Sequence, residues 1–345
     1  MAVLAFLAAI IGISGCSRQK EEKLTKYDTQ FFELFDTVTS VTGYARDEKT
    51  FQSYVDVFYD ELKEYHQLYD IYNDYEGINN IKTINDHAGI EPVGVDDKII
   101  QMLEEAVARL KGTPVTQDVE TELNLGLPEY REAGLKHPEQ AQLPPQEELE
   151  EAAKHMDIRK MVIDPEKKTV YLEDPDMSLD VGAIAKGYAA EMASRKVEEA
   201  GLKHALISVG GNIRCIGTKP DGQKWVVGVQ NPDTTSGERY LHRLGLDGMS
   251  LVTSGTYQRY YTVDGVNYHH IIHPELLKPW DRYSSVSILS ADSGMADALA
   301  TAVFNMELED GKKLIESQDG VEAMWIEADG TEHYSSGFQN DMLND

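Results

Sequence analysis

The sequence predicts an α+β fold, because a helix-rich first part is followed by a strand-rich second part. Apolar side chains recur with helical spacing over residues 51–72 and 97–111. From residue 161 onward, short β-branched and aromatic runs dominate, and two helical segments interrupt them. The 345 residues are 41% hydrophobic and 27% charged, a composition typical of a globular protein.

The individual elements follow in chain order. Residues 31–44 read as a first strand or hairpin, and the proline-rich residues 128–146 as a connector before a short acidic helix that ends at His155. Two later helices are predicted from about Ala183 to Ala200 and from about Gly294 to Met306, with a frayed tail after Gly337. Strands are predicted at 161–164, 169–172, 204–209, 225–230, 250–254, 258–263, 267–273, 284–290 and 321–327.

The N-terminus has the pattern of a targeting segment. Residues 2–15 are apolar and uncharged, but a transmembrane helix needs roughly 20 such residues. The run has the length of a signal-peptide core, and Ile13-Ser14-Gly15 before Cys16 resembles the lipobox of bacterial lipoproteins. We therefore expect a signal peptide over residues 1–16, lipidation of Cys16, a tether over 17–27, and a domain held at the extracytoplasmic face of the cell membrane. The alternative is a buried N-terminal helix.

Charge and cysteine content exclude several classes of protein. With 32 basic and 60 acidic residues the net charge is -28, which argues against nucleic-acid binding, since phosphate neutralisation needs a basic surface. Cys16 and Cys215 are the two cysteines, too few for a disulfide scaffold or a cysteine-rich metal site.

Two glycine-containing turns are candidates for ligand binding. A strand ends at Asp180, and a turn with Gly182 leads into a helix that carries Lys186. A helix N-terminus and a lysine suit phosphate, although Asp180 could equally cap the helix. A second strand runs into Gly210-Gly211-Asn212. This turn either lets the backbone approach a ligand closely or is a simple strand corner.

Two further motifs carry polar side chains. Residues 253–257 (TSGTY) precede a segment with His269, His270 and His273. On a strand, His269 and His273 share a face and could bind zinc, while His270 takes the other face. Asp297 and Thr301 stand at i and i+4 of a helix and offer oxygen ligands to Mg²⁺; otherwise they are a helix charge and a packed threonine.

Together and in this order the motifs resemble the FAD:protein FMN transferase (ApbE) family. The matching segments are 35–41, with Phe35 where methionine is common, and 180–191, 205–213, 253–274 and 290–304; the resemblance spans roughly residues 28–327. It implies an α+β fold of duplicated β-sheet units with packed helices, and a catalytic domain over 28–337. Such enzymes are often lipoproteins. They bind FAD and Mg²⁺ and transfer the FMN moiety to a Thr or Ser hydroxyl of an acceptor flavoprotein subunit or FMN-binding domain, releasing AMP.

The resemblance also implies roles for residues at the matching positions. The main-chain oxygen of Ala183 and the side chains of Asp297 and Thr301 would hold Mg²⁺. The acceptor hydroxyl needs a base, for which His270 is the candidate and Asp180 the alternative. FAD would be contacted by Asp180 and Lys186, with Thr253, Ser254, Gly255, His270 and Ile272 lining the flavin or pyrophosphate region.

Three departures from the family pattern affect these expectations. Residues 111–126 lack the usual glycine-rich stretch and contain Pro114, His273 replaces an aspartate, and residues 276–279 replace a TGYP-like turn. The first departure predicts weaker FAD binding. Two other functions therefore stay open: an FAD pyrophosphatase that yields FMN and AMP, and a non-catalytic lipid-anchored flavin-binding protein.

Overall fold

The computed structural model describes residues 23–110, 136–257 and 259–343. Its centre is an eight-stranded antiparallel sheet in the order β1-β2-β6-β7-β10-β15-β16-β17, so that two four-stranded halves meet between β7 and β10. The strands of this sheet are β1 (Thr25–Phe31), β2 (Thr39–Ala45), β6 (Ala205–Val209), β7 (Asn212–Ile216), β10 (Ser250–Gly255), β15 (Tyr283–Ser290), β16 (Glu322–Glu327) and β17 (Glu332–Tyr334).

Smaller sheets surround the central one. Three strands pair as β3-β5-β4, and three hairpins are formed by β8 with β9, β11 with β12, and β13 with β14. Their bounds are β3 (Val93–Gly94), β4 (Met161–Asp164), β5 (Thr169–Leu172), β8 (Trp225–Gln230), β9 (Tyr240–Leu246), β11 (Tyr260–Val263), β12 (Val266–His269), β13 (Ile272–His273) and β14 (Lys278–Pro279).

The helices carry the apolar stripes seen in the sequence. Their bounds are α1 (Glu48–Tyr69), α2 (Ile81–Asp86), α3 (Asp97–Leu110), α4 (Gln146–Ala152), α5 (Ala185–Glu199), α6 (Ser293–Phe304) and α7 (Leu308–Glu316). Side-chain caps fix three of the starts: Asp47 accepts a hydrogen bond from the Thr50 amide at 2.7 Å, Asn80 accepts one from the Thr83 amide at 3.0 Å, and Asp292 accepts one from the Met295 amide at 2.9 Å. No helix in the described ranges combines the length and the apolar character that a membrane span needs.

The sheet separates two apolar cores. Successive residues of a strand point to opposite faces, so Val252 packs beneath the helices while Leu251 packs beneath the β8–β9 hairpin. The larger core contains the buried stripes of α1, α5 and α6, and the smaller one includes Trp225 and Phe338.

Each predicted helix and strand has a counterpart in the described ranges, but α2, α7, β3, β7, β9, β14 and β17 were not predicted. Three of the predicted features also differ in the structure. The predicted strand 267–273 divides into β12 and β13, and β1 begins at Thr25, inside the range expected to be a tether. The prediction of a frayed tail after Gly337 is wrong, since Phe338 begins a short 3₁₀ helix and is fully buried in the smaller core. The Gly210-Gly211 turn is the two-residue connection of the β6–β7 hairpin, with φ values of 59° and 96° at the two glycines.

Candidate active site

One cleft of about 500 Å³ lies where the end of β10 meets the start of α5. All ten site residues that the sequence placed in the folded domain line it, whereas Cys16 lies outside the described residues. The ten are Asp180, Ala183, Lys186, Thr253, Ser254, Gly255, His270, Ile272, Asp297 and Thr301.

A close crossing of α5 and α6 positions the carboxylate of Asp297. A Cβ atom on Gly187 would come under 3.0 Å from the main-chain oxygen of Ser293 and from Cβ of Asp297, so a residue with a side chain does not fit there. The Gly187 amide donates a hydrogen bond of 2.7 Å to Oδ2 of Asp297. Asp297 is 4% exposed, and the crossing therefore holds a carboxylate in the interior at the base of the cleft.

The charge of Asp297 is not balanced by a direct ion pair to a described residue. Burial raises the pKa of this carboxyl above its ordinary value, and Lys186, the Gly187 amide and Asn212 oppose that rise. Asn212 is itself 4% exposed, and its Nδ2 has no hydrogen-bond partner in the part of the chain that the structure describes. Buried polar groups with fewer than their full set of partners are costly, and both Asp297 and Asn212 line the same cleft.

Further oxygen atoms with unused bonding capacity surround Asp297. The Gly187 amide would bond the Ala183 carbonyl in a regular helix, but it donates to Asp297 instead, and the Tyr188 amide donates to Ile184 at 2.9 Å. No described group donates a hydrogen bond to the Ala183 oxygen. Oγ1 of Thr301 lies 3.2 Å from Oγ of Ser254.

These oxygen atoms match the preferences of a hard cation. Mg²⁺ takes one or two carboxylates together with other oxygen ligands and substrate phosphates. A buried carboxylate, a hydroxyl and an unused carbonyl are what the expected set of Asp297, Thr301 and Ala183 provides. The residues present therefore fit a magnesium ion.

The opposite wall of the cleft comes from the segment before β13. Nδ1 of His270 lies 3.2 Å from the main-chain oxygen of Arg259. Since a carbonyl only accepts, Nδ1 carries the hydrogen in this contact and Nε2 is left as the basic nitrogen. Asp180 accepts a hydrogen bond of 2.8 Å from the Gly182 amide and stands four residues before the N-cap of α5, Ile184, so it bonds its own loop rather than capping the helix.

Several lining residues were not identified from the sequence as site residues. Phe35 and Asp36 have φ values of 54° and 50°, a conformation that is rare away from glycine and frequent at functional sites. The Phe35 amide donates to Nδ1 of His66 at 3.3 Å. The other missed residues include Thr37, Asp70, Ile71, Tyr72, Asn73 and Arg259, whereas Asn212 belongs to the glycine turn already named as a candidate. The family match over 35–41 could have identified Phe35, Asp36 and Thr37 as site residues. The sequence contains no such indication for His66, because it lies among the apolar residues of α1.

The zinc interpretation of the histidine segment gains no support. His269 is 3% exposed, and its Nε2 lies 4.0 Å from the exposed Asp281. The His273 ring packs edge-on against Trp280 at 4.9 Å. Within the described ranges, the grouping of three metal-ligating side chains is His155 with Asp174 and Asp176, away from these histidines. The unusual segment 111–126 lies outside the described residues.

The cleft of this α+β protein combines a helix N-terminus, a lysine and a buried carboxylate, a set of groups that suits a ligand carrying phosphate. The model of the ApbE family matches residues 35–325, and the chain belongs to this family. The family identification, the ApbE-like α+β fold and the expectation of a transferase enzyme are thereby confirmed.

Individual relatives agree with this assignment. The FAD:protein FMN transferase of Treponema pallidum is 33% identical over 276 residues, which are 74% of this chain and 73% of that protein. The FAD:protein FMN transferase of Vibrio cholerae is 27% identical over 341 residues, 96% of both chains. The crystal structure of the ApbE protein of Thermotoga maritima superposes with a TM-score of 0.78 at 27% identity, covering 93% of this chain and all of that one.

Proposed function

We propose that this chain transfers the FMN moiety of FAD to a Thr or Ser hydroxyl of an acceptor flavoprotein and releases AMP, in a reaction that depends on Mg²⁺. The observation that carries the proposal is the convergence of a buried carboxylate, an unused carbonyl and a helix N-terminus in one cleft of an ApbE-family chain. Relatives named for this activity match most of the chain.

The chemistry follows from the groups at the cleft. Asp297, Thr301 and the Ala183 carbonyl would hold Mg²⁺, which when bound offsets negative charge on the pyrophosphate and on the leaving AMP. Lys186 and the N-terminus of α5 favour the same anionic group. Binding by these groups fixes the pyrophosphate beside the buried carboxylate.

The transfer step forms one bond and breaks one. The acceptor oxygen bonds to the phosphorus of the FMN half, the bond from that phosphorus to the bridging oxygen breaks, and AMP departs with that oxygen. Nε2 of His270 accepts the hydroxyl proton, because Nδ1 is engaged with the Arg259 carbonyl. Asp180, which also lines the cleft, is the alternative base.

The cellular place of the reaction is part of the proposal. We propose that Cys16 carries a lipid anchor and holds the enzyme at the extracytoplasmic face of the cell membrane, near acceptor subunits of membrane redox systems. The sequence around Cys16 supports this placement.

One experiment separates the candidate functions. The mature chain is incubated with FAD and Mg²⁺, with or without an apo FMN-binding domain of a redox pump, and Asp297→Asn serves as the matched control. Flavin that stays on the acceptor domain after denaturation, together with AMP, is expected. Free FMN and AMP without acceptor labelling would instead indicate an FAD pyrophosphatase, and retention of intact FAD a non-catalytic binding protein.

A further inference from the structure

A second cavity of about 450 Å³ lies on the opposite face of the sheet from the helices. Its floor is a single row of side chains that are direct cross-strand neighbours, running through five strands from β1 to β10. The row is polar over its first three strands, with Gln30 on β1, Ser40 on β2 and Ser208 on β6. It is apolar over the last two, with Ile213 on β7 and Leu251 on β10.

The β8–β9 hairpin forms the wall of this second cavity. The Tyr240 ring packs on Gly228, where an added Cβ would come under 3.0 Å from it. The Arg239 guanidinium lies 5.3 Å from the Tyr240 ring centroid. Arg239 is exposed, and no carboxylate of the described chain lies within 4.0 Å of it. In a chain with a net charge of -28, this is a cation that remains available to a ligand.

The second cavity adjoins the active-site cleft. Thr37, Gly210 and Thr253 line both. Thr253 and Ser254 are adjacent on β10 and therefore point to opposite faces; Ser254 contacts Thr301 in the cleft, while Thr253 contacts Ser287 at 2.7 Å. The end of β10 therefore lies between the two spaces.

We propose that the second cavity binds the acceptor polypeptide, as an extended segment with a carboxylate side chain close to its reactive hydroxyl. This inference rests on the proposed transferase function. The reaction brings together two substrates. With FAD in the active-site cleft, the second cavity offers the acceptor hydroxyl an approach at the wall that the two spaces share. Serine, glutamine and glycine main-chain groups suit the amides of an extended peptide, and Arg239 suits its carboxylate.

The test is a charge reversal, Arg239→Glu, with Arg243→Glu as the matched control. Arg243 lies on β9, whereas Arg239 directly precedes that strand; Arg243 is also exposed and does not line the second cavity. The acceptor is an apo FMN-binding domain of a redox pump, used intact and with the carboxylates beside its acceptor threonine changed to amides. KM for the acceptor, kcat and the Kd for FAD are measured for each protein.

Arg239→Glu should raise KM for the intact acceptor about tenfold, with the Kd for FAD and the urea midpoint as in the wild type. Arg243→Glu should match the wild type. The amide acceptor should be a poorer substrate for the wild type and no poorer than the intact one for Arg239→Glu, which shows that the two charges act on each other.

Three results would overturn the inference: an unchanged KM, an equal loss in Arg243→Glu, or a raised Kd for FAD, since the last would mean that the cavity holds part of the dinucleotide. If the wild type labels no acceptor at all, the transferase proposal fails separately. Binding of the same acceptor domain is then followed by fluorescence anisotropy, where tighter binding by the wild type than by Arg239→Glu supports the surface and equal affinities contradict it.

Discussion

Replacing Gly187 by alanine tests the close crossing of α5 and α6 on which the site depends. The new Cβ would overlap the Ser293 oxygen and Cβ of Asp297, and would lie 3.0 Å from Cγ of Asp297. Carbon contacts are most favourable at about 3.5–4.0 Å and the new Cβ would lie 2.4 Å from Cβ of Asp297, so α6 has to retreat by about 1 Å or more. Overpacking of this kind costs about 1–3 kcal/mol, more than the roughly 0.5–1 kcal/mol that alanine gains over glycine inside a helix.

The movement should also weaken the amide contact to Asp297 and separate the Ala183 carbonyl from Thr301. We expect Gly187→Ala to unfold at lower urea concentration, followed by tryptophan fluorescence, and to show a smaller rise of Tm on addition of Mg²⁺. Gly311→Ala is the control, because this helical glycine has only ordinary contacts, with Trp325 at 3.4 Å and Val303 at 3.5 Å. If Gly187→Ala proves as stable as Gly311→Ala and keeps the full Mg²⁺ effect, the crossing does not position the site.

Four further predictions follow from the site and the N-terminus. Asp297→Asn should raise the free energy of unfolding of the metal-free protein at neutral pH by about 0.5–2 kcal/mol, as removal of an unpaired buried charge does, and should abolish the Mg²⁺-induced rise of Tm; a less stable metal-free variant would contradict this. Because burial raises the pKa of Asp297, its neutral form persists to higher pH than that of an ordinary aspartate, so as the pH falls the Mg²⁺-induced rise of Tm should begin to shrink at a higher pH than an ordinary aspartate ligand would cause; a rise that is constant with pH would argue against this carboxylate as a ligand. His270→Gln should lower the rate of FMN transfer by about 100-fold or more at saturating FAD, and a wild-type rate would leave Asp180 as the base. Cys16→Ser should move the protein from the membrane to the soluble fraction, and unchanged retention would place the anchor elsewhere.

The fold was predictable where one residue pattern decides the structure. The apolar stripes of α1 and α3 and the strands around Leu251 and Val252 carry their periodicity in the sequence. The strand β1 has no such periodicity in its sequence, because its residues at the sheet edge are exposed or half-buried and several are polar. Its position becomes clear only from the pairing with β2, which is a contact between segments and not a property of either one.

The site divides in the same way. Short motifs already pointed to three of its residues. Asp297 and Thr301 are brought together by their i, i+4 spacing on α6, and Lys186 lies in the first turn of α5. His66 and Asp70 reach the cleft because the end of α1 packs against the loop at Phe35, a tertiary contact between distant segments. A histidine within an apolar helical stripe is normally interpreted as a residue of the hydrophobic core, so the sequence contained no local indication that His66 lines the cleft. The two positive φ values at Phe35 and Asp36 likewise become visible only in the folded chain.

The unused bonding capacity at the cleft has an energetic consequence. The Asp297 carboxylate, the Asn212 amide and the Ala183 carbonyl are each buried with less than their full set of partners, and groups of this kind reduce the stability of a folded chain. A ligand that binds the native state alone adds stability in proportion to RT ln(1 + [L]/Kd), about 2.7 kcal/mol at one hundred times Kd. Binding of Mg²⁺ would satisfy the Asp297 carboxylate and the Ala183 carbonyl together, because both oxygen groups would meet the same charge, whereas Nδ2 of Asn212 is a donor and needs an acceptor instead. Two of the groups that make the metal-free fold less stable would therefore be the ones that hold the cation.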